Sequence, residues 1–199
     1  MDCTIQMLRT FSVRATRVGD NEFMQSREPD SMTIGISPGL GQTRRRVFVD
    51  MDGVIVDFDA FKNARGLTGE QVKCMPGAYL DMPAIPGAIA AVRSLIGMGY
   101  EVWIATKPPT GVPYAYADKA AWVLRYLPEL KRRIIITHDK GLLGSDDDVL
   151  IDDRPHKANC ERFAGTLIRF TDGMTWGDVL DQLRPRAAAT TASRVEVDA

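Results

Sequence analysis

The sequence predicts an α/β fold: a doubly wound, parallel five-stranded sheet with a short helical cap insertion after strand one. Three observations predict it. Five short apolar runs recur along the chain, and helix-like segments separate them. The runs are continuously apolar, as strands covered on both faces are, and right-handed crossovers then wind the helices onto the two faces. Four of the runs end in carboxylates, a hydroxyl or an ammonium group, and the carboxyl ends of the strands are where such sheets open their ligand crevice.

In order, RVFVD (46–50) is strand one. IPGAIAAVRSLIGMG is a helix with Pro86 near its first turn and Gly97 and Gly99 near its end. YEVWIAT is strand two, and AYADKAAWVLRYLP is a helix stopped by Pro128. RRIIIT and DVLIDD are strands three and four. PHKANCERFAG is a helix, TLIRF strand five and TWGDVLDQL a closing helix. The expected neighbour order is five-four-one-two-three, with RVFVD central, because strands one, two and four must feed one crevice.

Residues 1–43 show no sustained period and read as a poorly ordered leader, with Met32 an alternative start. Residues 44–184 form the domain, with a cap over about 58–80, and the Ala/Thr-rich stretch 185–199 reads as a flexible tail. The chain has 199 residues, 45% hydrophobic, enough for one domain with a full core. Its formal net charge of -1 gives no support for binding a nucleic-acid polymer, which goes with a basic excess. No apolar stretch nears the ~20 residues that span a bilayer, and the N-terminus lacks the apolar core of a secretory signal. Cys3, Cys74 and Cys160 form no CxxC pair and read as reduced thiols of a cytoplasmic protein. A homodimer is left open.

The rim residues are the chemistry. Strand one runs through Asp50 into Asp52, strand two ends at Thr106-Lys107, His138-Asp139-Lys140 follows strand three, and strand four ends at Asp152-Asp153. Clustered carboxylates need a cation, and oxygen ligands without a His or Cys array favour Mg²⁺. Thr106 and Lys140 suit phosphate oxygens. A rigidly held carboxylate, Asp50, suits a nucleophile that forms an aspartyl-phosphate; Asp52, two residues on, suits the general acid and base. Gly53 lets the backbone bend and its amides approach phosphate. Loss of Lys140 is expected to affect kinetics and spare stability.

Simpler readings hold for other residues. Asp146 to Asp148 read as a solvated acidic turn, Arg44 to Arg46 as a solvated lead-in, His138 and His156 as surface residues, and Trp103 and Trp122 as core.

D-M-D-G-V, Thr106, Lys140 and Asp152-Asp153, in that order, resemble the four motifs of the haloacid dehalogenase (HAD) superfamily, whose sheet is Rossmann-like. VFVDMDGVIVDFD, GAYLDMPAIPGAIAAV, KAAWVLRYLP, RIIITHDK and VLIDDRP make residues 46–183 similar to the 5′(3′)-deoxyribonucleotidases. The resemblance implies a Mg²⁺-dependent phosphomonoester hydrolase acting on (deoxy)nucleoside monophosphates. It implies that Asp50 is nucleophile and metal ligand, that Asp52 is acid/base and binds the metal through its carbonyl, and that Asp152 is the third ligand. Asp153 would support the metal shell, Gly53, Thr106, Lys107 and Lys140 would bind phosphate, and Phe58 would line the nucleoside pocket. Two features depart from the pattern: Lys107 stands where a small hydroxyl residue is common, and the cap is shorter than in the animal enzymes. With about twenty residues, a helical hairpin reaches only ~15 Å. Phe58 and Phe61 would stack on a base there, Tyr79 would line the entrance and Arg65 would attract an anion. The alternatives are a phosphatase for another small metabolite and a non-catalytic receiver-like phosphoryl module; receivers place their rim residues in a different order.

Overall fold

A computed structural model describes residues 44–184; the expected leader (1–43) and tail (185–199) lie outside the described residues. The sheet has five parallel strands in the order β3-β2-β1-β4-β5, the expected five-four-one-two-three arrangement. The strands are β1 (Arg46–Val49), β2 (Glu101–Thr106), β3 (Ile134–Ile136), β4 (Val149–Asp152) and β5 (Thr166–Arg169). β1 pairs with β2 through Phe48 and Trp103 and with β4 through Phe48 and Leu150. Central strands bury both faces: Val47, Val49, Val102, Ile104, Val149 and Ile151 on one, Phe48, Ala105 and Leu150 on the other.

The entry to β1 is pinned by an ion pair that the sequence reading placed in solvent. Asp148 accepts from the Arg46 backbone at 2.8 Å, from the Arg46 guanidinium, and from Ser145 N at 2.7 Å and Oγ at 2.9 Å. Asp148 is 3% exposed, so the acidic turn is not wholly solvated: its carboxylate satisfies the backbone amides of Arg46, at the start of β1, and Ser145.

α4 (Ala88–Gly97) and α5 (Pro113–Tyr126) follow from their patterns. Ala88, Ala91, Val92 and Leu95 bury one stripe of α4. Trp122 is core, as expected; half-buried Trp103 donates to Glu101 Oε1 at 3.1 Å. Residues 176–184 are helical and bury Trp176, Val179 and Leu183; the Trp176 indole donates to Val54 O at 2.9 Å.

Two elements differ from expectation. The cap is three short helices, α1 (Phe58–Ala64), α2 (Gly69–Lys73) and α3 (Ala78–Asp81), and not a hairpin. A reciprocal Thr68/Gln71 capping box starts α2, and Gly77 at φ 80 starts α3. The expected helix over PHKANCERFAG is only a 3₁₀ turn at Cys160–Arg162, because Ala158 and Asn159 take positive φ (49 and 53). Cys160 is a free, buried thiol, and Cys3 lies outside the described residues.

Candidate active site

Asp50 follows directly on β1, and its N–H continues the ladder by donating to Ile151 O at 2.9 Å. With a side-chain period of two, Asp50 and Asp52 share one side of the chain. Met51 between them is fully buried, and its carbonyl accepts from Ile55 N at 3.0 Å and Val56 N at 2.9 Å, closing the bend. Gly53 takes φ 77 within it, and a Cβ there would stand 2.6 Å from Asp153 Oδ2. Only glycine allows both the conformation and that approach.

β4 delivers Asp152 opposite. The Lys140 ammonium, 2% exposed, donates to Asp50 Oδ1 and Asp152 Oδ2, both at 2.6 Å. The turn that carries Lys140 is supported by the segment that failed to form a helix. Lys140 N donates to Ala158 O at 2.7 Å, and the Asn159 amide to Asp139 Oδ2 at 2.8 Å. Arg154 closes the fourth side, with Nε on Asp153 Oδ2 at 2.9 Å and its backbone N on Asp152 Oδ1 at 2.8 Å.

The electrostatics follow from burial. Burial raises the Asp50 carboxyl to about 6; Lys140 opposes this, and Asp152 and Asp52 add to it. Lys140 is held above its ordinary value: burial acts to lower it, and Asp50 and Asp152 together outweigh that. Burial, followed by the Asp152 charge, pushes the Cys160 thiol up to about 12, and its Sγ donates to Asp152 Oδ2 at 3.3 Å.

Asp50, Asp152 and Asp153 each offer an oxygen within 4.8 Å of the others. Asp153 Oδ1 is buried without a hydrogen-bond partner. An all-carboxylate set with an orphaned buried oxygen fits a hard divalent cation. Asp153, expected to stand behind the ligands, is inside this cluster; Asp52 contributes no side-chain oxygen to it.

The structure thus brings together Asp50, Asp52, Gly53, Thr106, Lys140, Asp152 and Asp153. Lys107 is exposed and forms no hydrogen bond or ion pair among the described residues. Phe58 is half-buried, its ring 6.4 Å from that of Tyr79. Phe61 and Tyr79 are each 2% exposed, so they pack the cap and do not present a stacking face or an entrance. Arg65 lies over the Phe61 ring at 3.7 Å.

Sequence reasoning missed Lys119. Fully buried on α5, its ammonium donates to Asp52 Oδ1 at 2.7 Å and to Thr106 Oγ1 at 3.1 Å. The available signal was a lysine inside the apolar stripe Ala115, Lys119, Trp122 and Val123, where a charge must have a partner.

Residues 71–184, more than half of the chain, match the family model described as 5′ nucleotidase, deoxy (Pyrimidine), cytosolic type C protein. The match begins after the D-M-D-G bend. Among solved structures, a haloacid dehalogenase-like family hydrolase from Xanthomonas campestris aligns with a TM-score of 0.47 and 12% identity, over 75% of this chain and 96% of that one. A putative 5′(3′)-deoxyribonucleotidase of Bordetella bronchiseptica is 34% identical over 140 residues, 55% of this chain and 74% of its own. The human cytosolic-type 5′(3′)-deoxyribonucleotidase is 33% identical over 143 residues, 55% of this chain and 70% of its own. The human mitochondrial 5′(3′)-deoxyribonucleotidase is 30% identical over 164 residues, 64% of this chain and 71% of its own. No helix among the described residues is long and apolar enough to cross a membrane. With the family model and these relatives in agreement, the chain belongs to the 5′(3′)-deoxyribonucleotidase family of phosphoric monoester hydrolases.

Proposed function

We propose that this chain is a Mg²⁺-dependent nucleotidase that hydrolyses (deoxy)nucleoside monophosphates through an aspartyl-phosphate on Asp50. The observation that carries the reading is the Asp50–Lys140–Asp152 bridge, with both N···O distances 2.6 Å and the orphaned Asp153 Oδ1 beside it. Asp50 Oδ1 is fixed by Lys140, and Oδ2 carries no hydrogen bond among the described residues. That oxygen attacks phosphorus while the ester oxygen leaves. Asp52 protonates the leaving oxygen and then takes a proton from the water that frees Asp50. Asp50, Asp152 and Asp153 would hold Mg²⁺, with the Asp52 carbonyl a further donor, and the ion would supply Lewis-acid neutralisation of the phosphate oxygens. Lys140 adds positive charge on the opposite side, and Thr106 and the amides around Gly53 bind phosphate oxygens; exposed Lys107 contributes at longer range.

The test is Asp50→Asn. It removes the nucleophile and one metal charge while preserving shape, and turnover of deoxynucleoside monophosphates should fall to background with the melting temperature retained. Near-wild-type turnover by Asp50→Asn in EDTA would refute the mechanism.

The short cap favours a second reading. With Phe61 and Tyr79 buried, Phe58 is the one expected stacking residue left with open surface, so the substrate is then another small phosphomonoester. Comparing kcat/KM for deoxynucleoside monophosphates, ribose 5-phosphate and p-nitrophenyl phosphate decides. A nucleobase preference that drops about tenfold or more in Phe58→Ala, the scale of one lost base stack, supports the nucleotidase. No preference in either protein supports the broader phosphatase.

A further inference from the structure

Lys119 lies outside all four strand-end motifs, yet it is the most buried charge near the rim. Its side chain has no exposed surface, against 15% for its partner Asp52. The ammonium has three N–H donors, and three neighbours account for them: Asp52 Oδ1 at 2.7 Å, Thr106 Oγ1 at 3.1 Å and the Tyr79 ring, whose centroid is 4.4 Å away.

Fastening the cap does not require it. Asp118 accepts from Gly77 N at 2.8 Å, the Trp122 indole donates to Met82 O at 2.8 Å, and Arg125 donates to Leu80 O at 3.2 Å. Those residues tie α5 to the backbone around α3. Lys119 instead sends its hydrogen bonds to the ends of β1 and β2. An apolar side chain would pack the same space without the cost of desolvating an ammonium.

We propose that Lys119 is a positioning residue for Asp52. It fixes Oδ1 and so makes Oδ2 the oxygen that exchanges protons with the substrate. Oδ2 has no hydrogen-bond partner among the described residues. In the first half-reaction the Asp50–phosphorus bond forms, the phosphorus–ester oxygen bond breaks, and the proton on Asp52 Oδ2 passes to the departing alkoxide. In the second, a water oxygen bonds to phosphorus, the Asp50–phosphorus bond breaks, and a water proton returns to Oδ2. The same ammonium holds Thr106 Oγ1, which keeps the hydroxyl's proton free to be donated to phosphate. This proposal rests on the phosphatase reading above.

Leaving-group dependence separates positioning from packing. An alkyl ester needs its leaving oxygen protonated; p-nitrophenolate leaves without that help. In the full-length protein with MgCl₂, Lys119→Met should lower kcat/KM for deoxythymidine 5′-monophosphate about 10²-fold, within the usual range for general acid catalysis. For p-nitrophenyl phosphate the loss should stay below about tenfold. Asp52→Asn/Lys119→Met should be no slower on the nucleotide than Asp52→Asn alone, because a residue acting through Asp52 has nothing left to position. Equal losses on both esters, no loss on either, or additive losses in the double variant overturn the proposal. If Lys119→Met does not fold, Lys119→Gln and the double variant, which removes both charges of the pair, carry the same comparisons. A wild-type chain that hydrolyses p-nitrophenyl phosphate and ribose 5-phosphate but no nucleotide overturns only the nucleotide preference, and ribose 5-phosphate then serves as the alkyl ester. A wild-type chain that hydrolyses no phosphoester overturns the phosphatase reading and this proposal together.

Discussion

Replacing Lys140 by methionine should unfold the metal-free protein far more readily than the sequence suggests. Lys140 stands 2.6 Å from Asp50 and 2.6 Å from Asp152, with all three side chains buried. Removing one partner of a buried pair leaves its charge uncompensated, which costs about 3–5 kcal/mol. For a domain of this size that corresponds to a melting temperature lower by roughly 10–20 °C. The pH dependence has a definite sign. Burial already raises the Asp50 carboxyl to about 6 in the wild type, so the folded state keeps a proton that the unfolded chain has lost. Stability therefore falls as pH rises from the ordinary carboxylate value, ~3.9, towards about 6, by about 3 kcal/mol. Without the ammonium the Asp50 carboxyl goes higher, and the fall extends beyond that window towards neutral pH. Mg²⁺ neutralises the same carboxylates and should restore most of the loss. The assay is thermal melting of wild type and Lys140→Met in EDTA and in MgCl₂ across the acid-to-neutral range. A Lys140→Met protein that melts with the wild type in EDTA at neutral pH, without a steeper fall on raising pH, would refute the account of Lys140 as the charge that keeps two buried carboxylates together.

Gly53→Ala should cost about 1–2 kcal/mol for a side chain at positive φ. Its Cβ also displaces Asp153, which it would meet at 2.6 Å, so Mg²⁺ affinity measured by calorimetry should weaken about 10–100-fold. Burial acts to raise Asp148, but hydrogen bonds from Arg46 and Ser145 hold it below the ordinary carboxylate value. It therefore adds stability above ~4 that is lost as pH falls through its folded value; Asp148→Asn should lower denaturant stability by about 1–3 kcal/mol at neutral pH and flatten the acid limb.

The strands, their order and the main rim residues were legible because each rests on a local signal. Apolar runs such as VFV and VLI mark strands buried on both faces, and the polar residue that ends each one must emerge at the crevice. What was illegible depends on partners distant in sequence. PHKANCERFAG has a helical pattern, but it is needed elsewhere. Ala158 O accepts from Lys140 N at 2.7 Å, and a Cβ on Gly141 would meet Asn159 O at 2.6 Å. That close packing holds the backbone at positive φ and prevents a helix. Asp148 looked solvated because its partner, Arg46, lies a hundred residues away, where chain pattern gives no hint of pairing. Phe61 looked like a base-stacking ring and Tyr79 like an entrance residue because aromatic composition does not distinguish a ring that faces a ligand from one that packs a cap.

The rim carboxylates share a pattern that a list of acidic residues does not contain. Lys140 holds Oδ1 of Asp50, Lys119 holds Oδ1 of Asp52, and Arg154 holds Oδ2 of Asp153. Each of these residues is left with one oxygen that has no hydrogen-bond partner among the described residues. Asp152 has neither oxygen unengaged: Oδ1 accepts from Arg154 N, and Oδ2 from Lys140 and Cys160. A carboxylate gripped by one oxygen cannot rotate without breaking a charge-assisted bond, so its second oxygen is aimed before a ligand arrives. In the proposed mechanism the three free oxygens are the nucleophile, the proton carrier and a metal donor. Asp152, gripped at both oxygens, retains lone pairs for the metal and serves first as the anchor that keeps Lys140 beside Asp50. Four carboxylates then face three cations, and the one uncompensated negative charge gives the site its need for a metal before it can accept a phosphate dianion.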